Sequence, residues 1–186
     1  MPARLQASQQ QVDRVTAQVL RDIWTGGDFA VSLDGSSPLL DANERSHMRD
    51  VGGLVRLLGT LSGVAALVLL LSALTLRRER RRSGRLLLVA AGIVGSAAVL
   101  LGVVMVFAFE PAFLAFHELF FPQGNFLFGP DSNLLRLFPE PFWFEASLAA
   151  GLAILLAALL ASLVGRWLLR SRPSPTAPER AAARRA

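Results

Sequence analysis

The chain reads as an all-α polytopic membrane protein with an aromatic-rich outer loop lying in the membrane interface, and three observations predict this. Of its 186 residues 53% are hydrophobic; three long apolar runs are separated by polar segments; and arginines gather on two of those segments while acids gather on another. A hydrocarbon core about 30 Å thick takes about 20 helical residues to cross. Residues 57–76, 86–109 and 148–169 each reach that length, the first two without a charge and the third with only Arg166 near its end.

Topology follows from the charges. The segment between the first two runs reads RRERRRSGR, and Arg170, Arg172, Arg180, Arg184 and Arg185 follow the third. Short arginine-rich segments beside a span stay on the cytoplasmic side. The sequence pI of about 11.4 is therefore an expression of topology and argues against a nucleic-acid partner. The predicted order is an extracytoplasmic amphipathic helix and loop over 1–56, a span over 57–76, a cytoplasmic basic loop over 77–85, and a span over 86–109. An extracytoplasmic aromatic loop over 110–147, a span over 148–169 and a disordered cytoplasmic tail over 170–186 complete it. Export of the polar 1–56 segment needs a signal, and MPARLQASQQQ has no apolar core to provide one. A further transmembrane helix encoded upstream of Met1 is expected, and an in-frame stop codon there would refute it.

Within the first outer segment, Val12, Val15, Val19 and Ile23 recur at helical spacing among Arg14, Arg21 and Asp22, which predicts an amphipathic helix ended by TGGDF. It should lie on the outer leaflet or against the other outer elements. In DANERSHMRDVGG, Asp41 and Glu44 have the spacing of a capping box, so a helix should start there and continue through His47 into the first span. That span contains Gly59 and Gly63, and the next contains Ala91 and Gly95; such small-residue faces predict that these two spans pack together. Eleven of the twelve phenylalanines lie between Phe107 and Phe144. Aromatic residues favour the membrane interface, and Pro111, Pro122, Pro130, Pro139 and Pro141 rule out one continuous helix, so short helical pieces are expected over 110–147.

Cysteine, lysine and tyrosine are absent, which removes disulfides, thiolate nucleophiles and lysine chemistry. Catalysis, if present, falls to histidine, carboxylates, hydroxyls, amides or arginine. The two histidines, His47 and His117, both fall on outer segments near the membrane surface. Asp50, one turn after His47, could orient its imidazole; the competing reading of NERSHMRD is an exposed helix start with alternating charges. His117, beside Glu118 in AFHELFF, is either a base in an apolar setting or an interfacial belt residue. Asp131, Asn133 and Arg136 follow on the same side and could bind a headgroup or a developing oxyanion, or satisfy loop backbone. Two histidines and a carboxylate could also make a metal triad, but neither histidine belongs to an H-x-x-x-H or H-E-x-x-H pair, and no metal or soluble cofactor is expected.

SHMRDV before one span, followed by FHELFF and DSNLLRLFPEPFW after the next, resembles the integral membrane family that includes the bacterial lipoprotein intramolecular transacylase, Lit. The resemblance covers roughly residues 41–143. It implies a bacterial cytoplasmic membrane protein with four transmembrane helices, of which this chain would lack the first. It also implies that His47 and His117 are the residues required for activity; Asp50, Glu118, Asp131, Asn133 and Arg136 are the supporting residues expected from the local sequence around them. Phe126 departs from the pattern, standing where the family's tryptophan is expected. The implied reaction moves one ester-linked acyl chain of a diacylglyceryl-modified lipoprotein to that lipoprotein's own amino-terminal amine. His117 is then expected as base and His47 as acid or oxyanion donor, with an acyl-serine route through Ser46 or Ser132 as a variant. The alternative is a non-catalytic membrane protein that binds lipid or a partner protein through its outer loops; a metal-dependent hydrolase is a third reading.

Overall fold

The structure is a computed structural model and describes Leu5 and residues 7–75 and 79–170. The expected tail beyond Arg170 and the first two residues of the basic loop lie outside the described residues. Among the described residues six helices of more than one turn follow in order: α1 (Gln9–Thr25), α2 (Ala42–Thr75), α3 (Arg80–Phe107), α4 (Phe109–Phe120), α5 (Asn133–Leu137) and α6 (Glu140–Arg170). No strand occurs among the described residues. Among the described residues three helices, α2, α3 and α6, are long and apolar enough to cross a membrane.

Local chemistry sets the ends of these elements. Ser8 starts α1 through a capping box: Gln11 N–H donates to Ser8 Oγ at 3.3 Å and Ser8 N–H donates to Gln11 Oε1 at 2.9 Å. The helix stops at Gly26, whose φ of 75° is the left-handed conformation glycine adopts without penalty. Asp41 and Glu44 form the box expected at the head of α2, with Asp41 N–H on Glu44 Oε2 and Glu44 N–H on Asp41 Oδ1, both at 2.8 Å. From there α2 runs without a break past His47 into the first span. Pro111 and Pro141 sit in the first turns of α4 and α6, where a missing N–H costs no intrahelical bond. As a result α6 begins at Glu140, ahead of the span boundary expected at residue 148.

Two layers result. In the outer one, Val12, Val15 and Val19 of α1 pack with Phe29, Val31 and Leu40 of the following loop, Met48 of α2, and Leu134, Leu137 and Phe138 around α5. The amphipathic helix therefore lies against the loop that follows it, the head of α2 and α5, and all of these share one core. Arg56 ties this core to the first span by donating to the Ile23 carbonyl at 2.6 Å, near the end of α1.

In the membrane layer α3 and α6 pack along each other. Gly84 and Gly165 cross so closely that a Cβ on Gly84 would stand 2.7 Å from the Gly165 carbonyl oxygen. Further along, Gly95 faces Ala158, so the pair is antiparallel. This corrects the expected pairing of the first two spans. Gly59 is covered by the Trp24 ring of α1, a Cβ on Gly63 would meet nothing within 4 Å, and Ala91 and Gly95 serve the contact with α6. Small residues permit close approach without specifying a partner. Here α6 supplies small residues at both ends of the crossing, and α2 does not.

Candidate active site

The polar head of α2 carries Glu44, Arg45, Arg49, Asp50 and Arg56, groups costly to place in hydrocarbon, and His47 sits among them at the start of a helix long and apolar enough to cross a membrane. His117 sits in the last turn of α4, the short helix that follows the second span. Although 70 positions separate them (117 minus 47), their rings stack with centroids 5.7 Å apart and planes 28° from parallel. The two sequence motifs thus form one site.

Phenylalanines enclose the pair. Phe121, itself buried, meets the His47 ring edge-on at 4.9 Å, and Phe128 does so at 5.6 Å. Phe113 lies 4.1 Å and Phe126 5.2 Å from the His117 ring. Part of the phenylalanine-rich segment, Phe113, Phe121, Phe126 and Phe128, is therefore the wall around the two histidines.

His117 Nδ1 lies 2.8 Å from the Phe113 carbonyl oxygen. A carbonyl can only accept, so the shared hydrogen is on Nδ1, and the neutral ring keeps its lone pair on Nε2. His47 is 5% exposed, which excludes the exposed-helix reading of NERSHMRD. Burial, and secondly the neighbouring His117, hold the His47 imidazole below its ordinary pKa of 6.5, while the Asn125 amide and the Asp50 carboxylate act in the opposite direction.

The supporting residues divide. Asp50 is beside the pair, but its carboxylate holds loop amides in place of the imidazole: Oδ2 accepts from Gln123 Nε2 at 2.8 Å and from Asn125 Nδ2 at 2.7 Å. Asn133 donates to the Leu39 carbonyl at 2.8 Å, and Arg136 donates to Asn133 Oδ1 at 3.3 Å and pairs with Asp131 at 3.2 Å. Asn133 fastens α5 to the loop at Leu39, while Arg136 and Asp131 make contacts local to α5 and the turn before it. Glu118, next to His117, points to the exposed side. Ser132 caps α5 and donates to Glu44, so its hydroxyl is engaged.

Two roles were not apparent from sequence. Glu44, 2% exposed, is a clamp: besides capping α2 it accepts from the Ser132 hydroxyl and, at 3.0 Å, from Leu134 N–H, joining the His47 helix to α5. Asn125 lies in the loop against His47. The available signal was the pair of amides in LFFPQGNFLF, the only polar side chains in that run.

An all-helical, polytopic membrane protein that stacks two histidines within a partly enclosed aromatic wall is the class these features define. The family model described as lipoprotein intramolecular transacylase Lit matches residues 6–143, and the chain belongs to this family. The solved structure of the membrane integral lipoprotein intramolecular transacylase Lit from Bacillus cereus matches with a TM-score of 0.80 at 20% sequence identity, over 91% of this chain and 77% of that one, a likeness of fold. No curated protein matches the sequence.

Proposed function

We propose that this chain is a membrane-embedded acyltransferase that moves an ester-linked acyl chain of a diacylglyceryl lipoprotein to the amino-terminal amine of the same molecule. The observation that carries the site is the stacking of His47 on His117, two imidazoles delivered by separate helices into an aromatic enclosure. Family membership supports the reaction. The arginine-rich RRERRRSGR segment supports a cytoplasmic carboxy terminus and a site that faces outside.

Proton accounting fits two neutral imidazoles. The substrate ammonium, with a pKa of about 7.7–8.0, must lose two protons to become an amide nitrogen, while the departing glycerol oxygen must gain one. His117 takes the first proton on Nε2 and passes it to water, which frees the amine lone pair. The amine attacks the ester carbon, a C–N bond forms, and the carbonyl electron pair moves onto oxygen. His47 takes the second proton from the adduct nitrogen. As the C–O bond to glycerol breaks with its electron pair on the glycerol oxygen, His47 returns that proton to the oxygen. Burial makes the protonated His47 ring a stronger acid than a free imidazolium, which suits donation to a leaving alkoxide. Amine and ester share one molecule, so the site has only to hold them in attack geometry.

The test is tandem mass spectrometry of the amino-terminal lipopeptide of a model lipoprotein, taken from cells that lack other N-acylating enzymes, with and without this protein. Migration leaves the mass unchanged, so fragments must locate the chain. An acyl group on the amine, lost in His47→Ala and His117→Ala, supports the proposal. Both chains on the glycerol despite membrane-inserted protein would reject it in favour of a binding module.

A further inference from the structure

We propose that Asn125, itself oriented by Asp50, is the positioning residue that fixes the tautomer and ring orientation of His47. This rests on the two-histidine reading above.

The inference starts from Asp50. An ionised carboxylate has only acceptor atoms, so the Asn125 atom lying 2.7 Å from Asp50 Oδ2 must be the NH2 group. The orientation of the Asn125 amide is thereby settled, and its Oδ1 points away from Asp50. That oxygen is buried without a hydrogen-bond partner. So is His47 Nδ1. The Asn125 side chain acts on the His47 ring in the direction that favours its charged form, as an accepting amide oxygen does. Two buried, unpartnered polar atoms at one place are uncommon in a folded protein. Here one can only accept, and the other donates whenever it carries hydrogen.

A neutral His47 has one N–H. With that hydrogen on Nε2, an Nδ1 lone pair facing the Asn125 oxygen would be repelled; with it on Nδ1, an N–H···O bond to that oxygen would satisfy both unpartnered atoms. The second arrangement leaves Nε2 bare to accept a proton. His117 reaches the same state by a different route, through the Phe113 carbonyl. Both rings are thus set with Nδ1–H turned toward the protein and Nε2 free. When Nε2 of His47 gains a proton, the Asn125 oxygen shares the charge, as a carbonyl or carboxylate behind a catalytic imidazole does.

The groups facing His47 are few. On its own helix Asp50 acts mainly through the amide, and Glu44, one turn earlier, is occupied by Ser132, Leu134 N–H and Asp41 N–H. From α4 comes His117, and the loop that follows contributes Phe121, Phe128 and Asn125. Asn125 is the member of this set able to take a hydrogen from Nδ1 without carrying a charge.

The experiment is nitrogen-15 NMR of the His47 ring in full-length protein in detergent micelles, alongside the pH profile of acyl transfer. It compares wild type, Asn125→Leu, and the exchange Asp50→Asn with Asn125→Asp, which preserves charge and keeps an acceptor facing the ring. Wild type should show Nδ1–H. In Asn125→Leu that preference should disappear, the protonation midpoint of His47 should fall further, and the rate should drop about a hundredfold, the scale of a misplaced catalytic group. The exchange should restore Nδ1–H and raise the midpoint above wild type, because a carboxylate then stands behind the ring. An unchanged tautomer in Asn125→Leu would overturn the proposal. So would an exchange variant that regains rate with no movement of the midpoint, since a loop anchor would behave that way. If Asn125→Leu does not fold, the exchange variant decides alone. The ring spectrum is read without turnover, so a protein inactive in acyl transfer but showing these ring states would refute the function and leave the positioning intact.

Discussion

The outer layer and the membrane layer of this protein are held together by different physics. Across the membrane, side chains such as Val89, Ile93, Leu100 and Leu152 are more than 60% exposed, facing outward where lipid would cover them, and the ordered contact is the close crossing of Gly84 with Gly165. Outside the membrane, glycines serve the turn and close packing at the end of α1, as at Gly26 and Gly27, and no helix crossing depends on them. Position there depends on a few buried polar groups: Glu44 joins α2 to α5, Asp50 gathers the 123–125 loop, and Arg56 holds the end of α1. Lipid accepts any apolar face, so the membrane layer tolerates substitution. A buried carboxylate with specified donors does not. The two histidines sit in the layer where single atoms decide geometry.

The largest effect expected from breaking this contrast is chemical. Ala at either His47 or His117 should lower acyl transfer by about 10²–10⁴, the usual contribution of a general acid or base, with little change in unfolding temperature for the half-buried His117. Rate assays beside thermal unfolding in detergent read both quantities. Next comes Glu44→Ala, which strands the Ser132 hydroxyl and the N–H groups of Leu134 and Asp41. It should cost about 3 kcal/mol and release α5 to hydrogen exchange before the spans loosen. A single cooperative loss of both layers would contradict their independence.

In the membrane layer, Gly84→Ala should cost about 1–3 kcal/mol, because the new methyl would collide with backbone at Gly165. Acyl transfer per folded molecule should persist. Smaller still is the pH response. The folded state disfavours proton uptake by His47, whereas the unfolded chain takes a proton at the ordinary value of 6.5. The stability this contributes is complete above that value and declines as pH falls below it toward the depressed folded pKa. Unfolding temperature should therefore drop between pH 7 and 5, and less so in His47→Gln. The smallest effect belongs to Gly63→Ala, where open space and helix propensity together predict a gain of up to about 1 kcal/mol. A clear loss there would mean that Gly63 has a close neighbour after all.

This division also explains what could be read from the sequence. Three spans, the capping box of Asp41 and Glu44 and the amphipathic α1 are local patterns, visible as runs, spacings and periods. Both histidines could be named because the chain has only two. Their meeting could not, since it depends on where α4 turns back over the head of α2. The roles of Asn133, Arg136 and Asp131 were open for the same reason, and contacts with Leu39 and one another fasten them to α5. The small-residue faces misled because Gly59 and Gly63 state only that an approach is permitted, and Trp24, remote in sequence, occupies one of them. Glu44 resembled a surface charge until its partners 88 and 90 positions away were in place.

The most direct test of the central claim, that His47 and His117 together form one acyl-transfer site, uses purified protein and a synthetic diacylglyceryl lipopeptide in micelles. The lipopeptide is a mixture of a species labelled in its ester acyl chains and a species labelled in its peptide, and tandem mass spectrometry follows where each acyl chain goes. The account predicts that the acyl chain reaches the amine with no crossover between labels, at a rate that collapses alike in His47→Ala, in His117→Ala and in the double variant. Full turnover with either histidine removed, or two independent losses that multiply in the double variant, would contradict it.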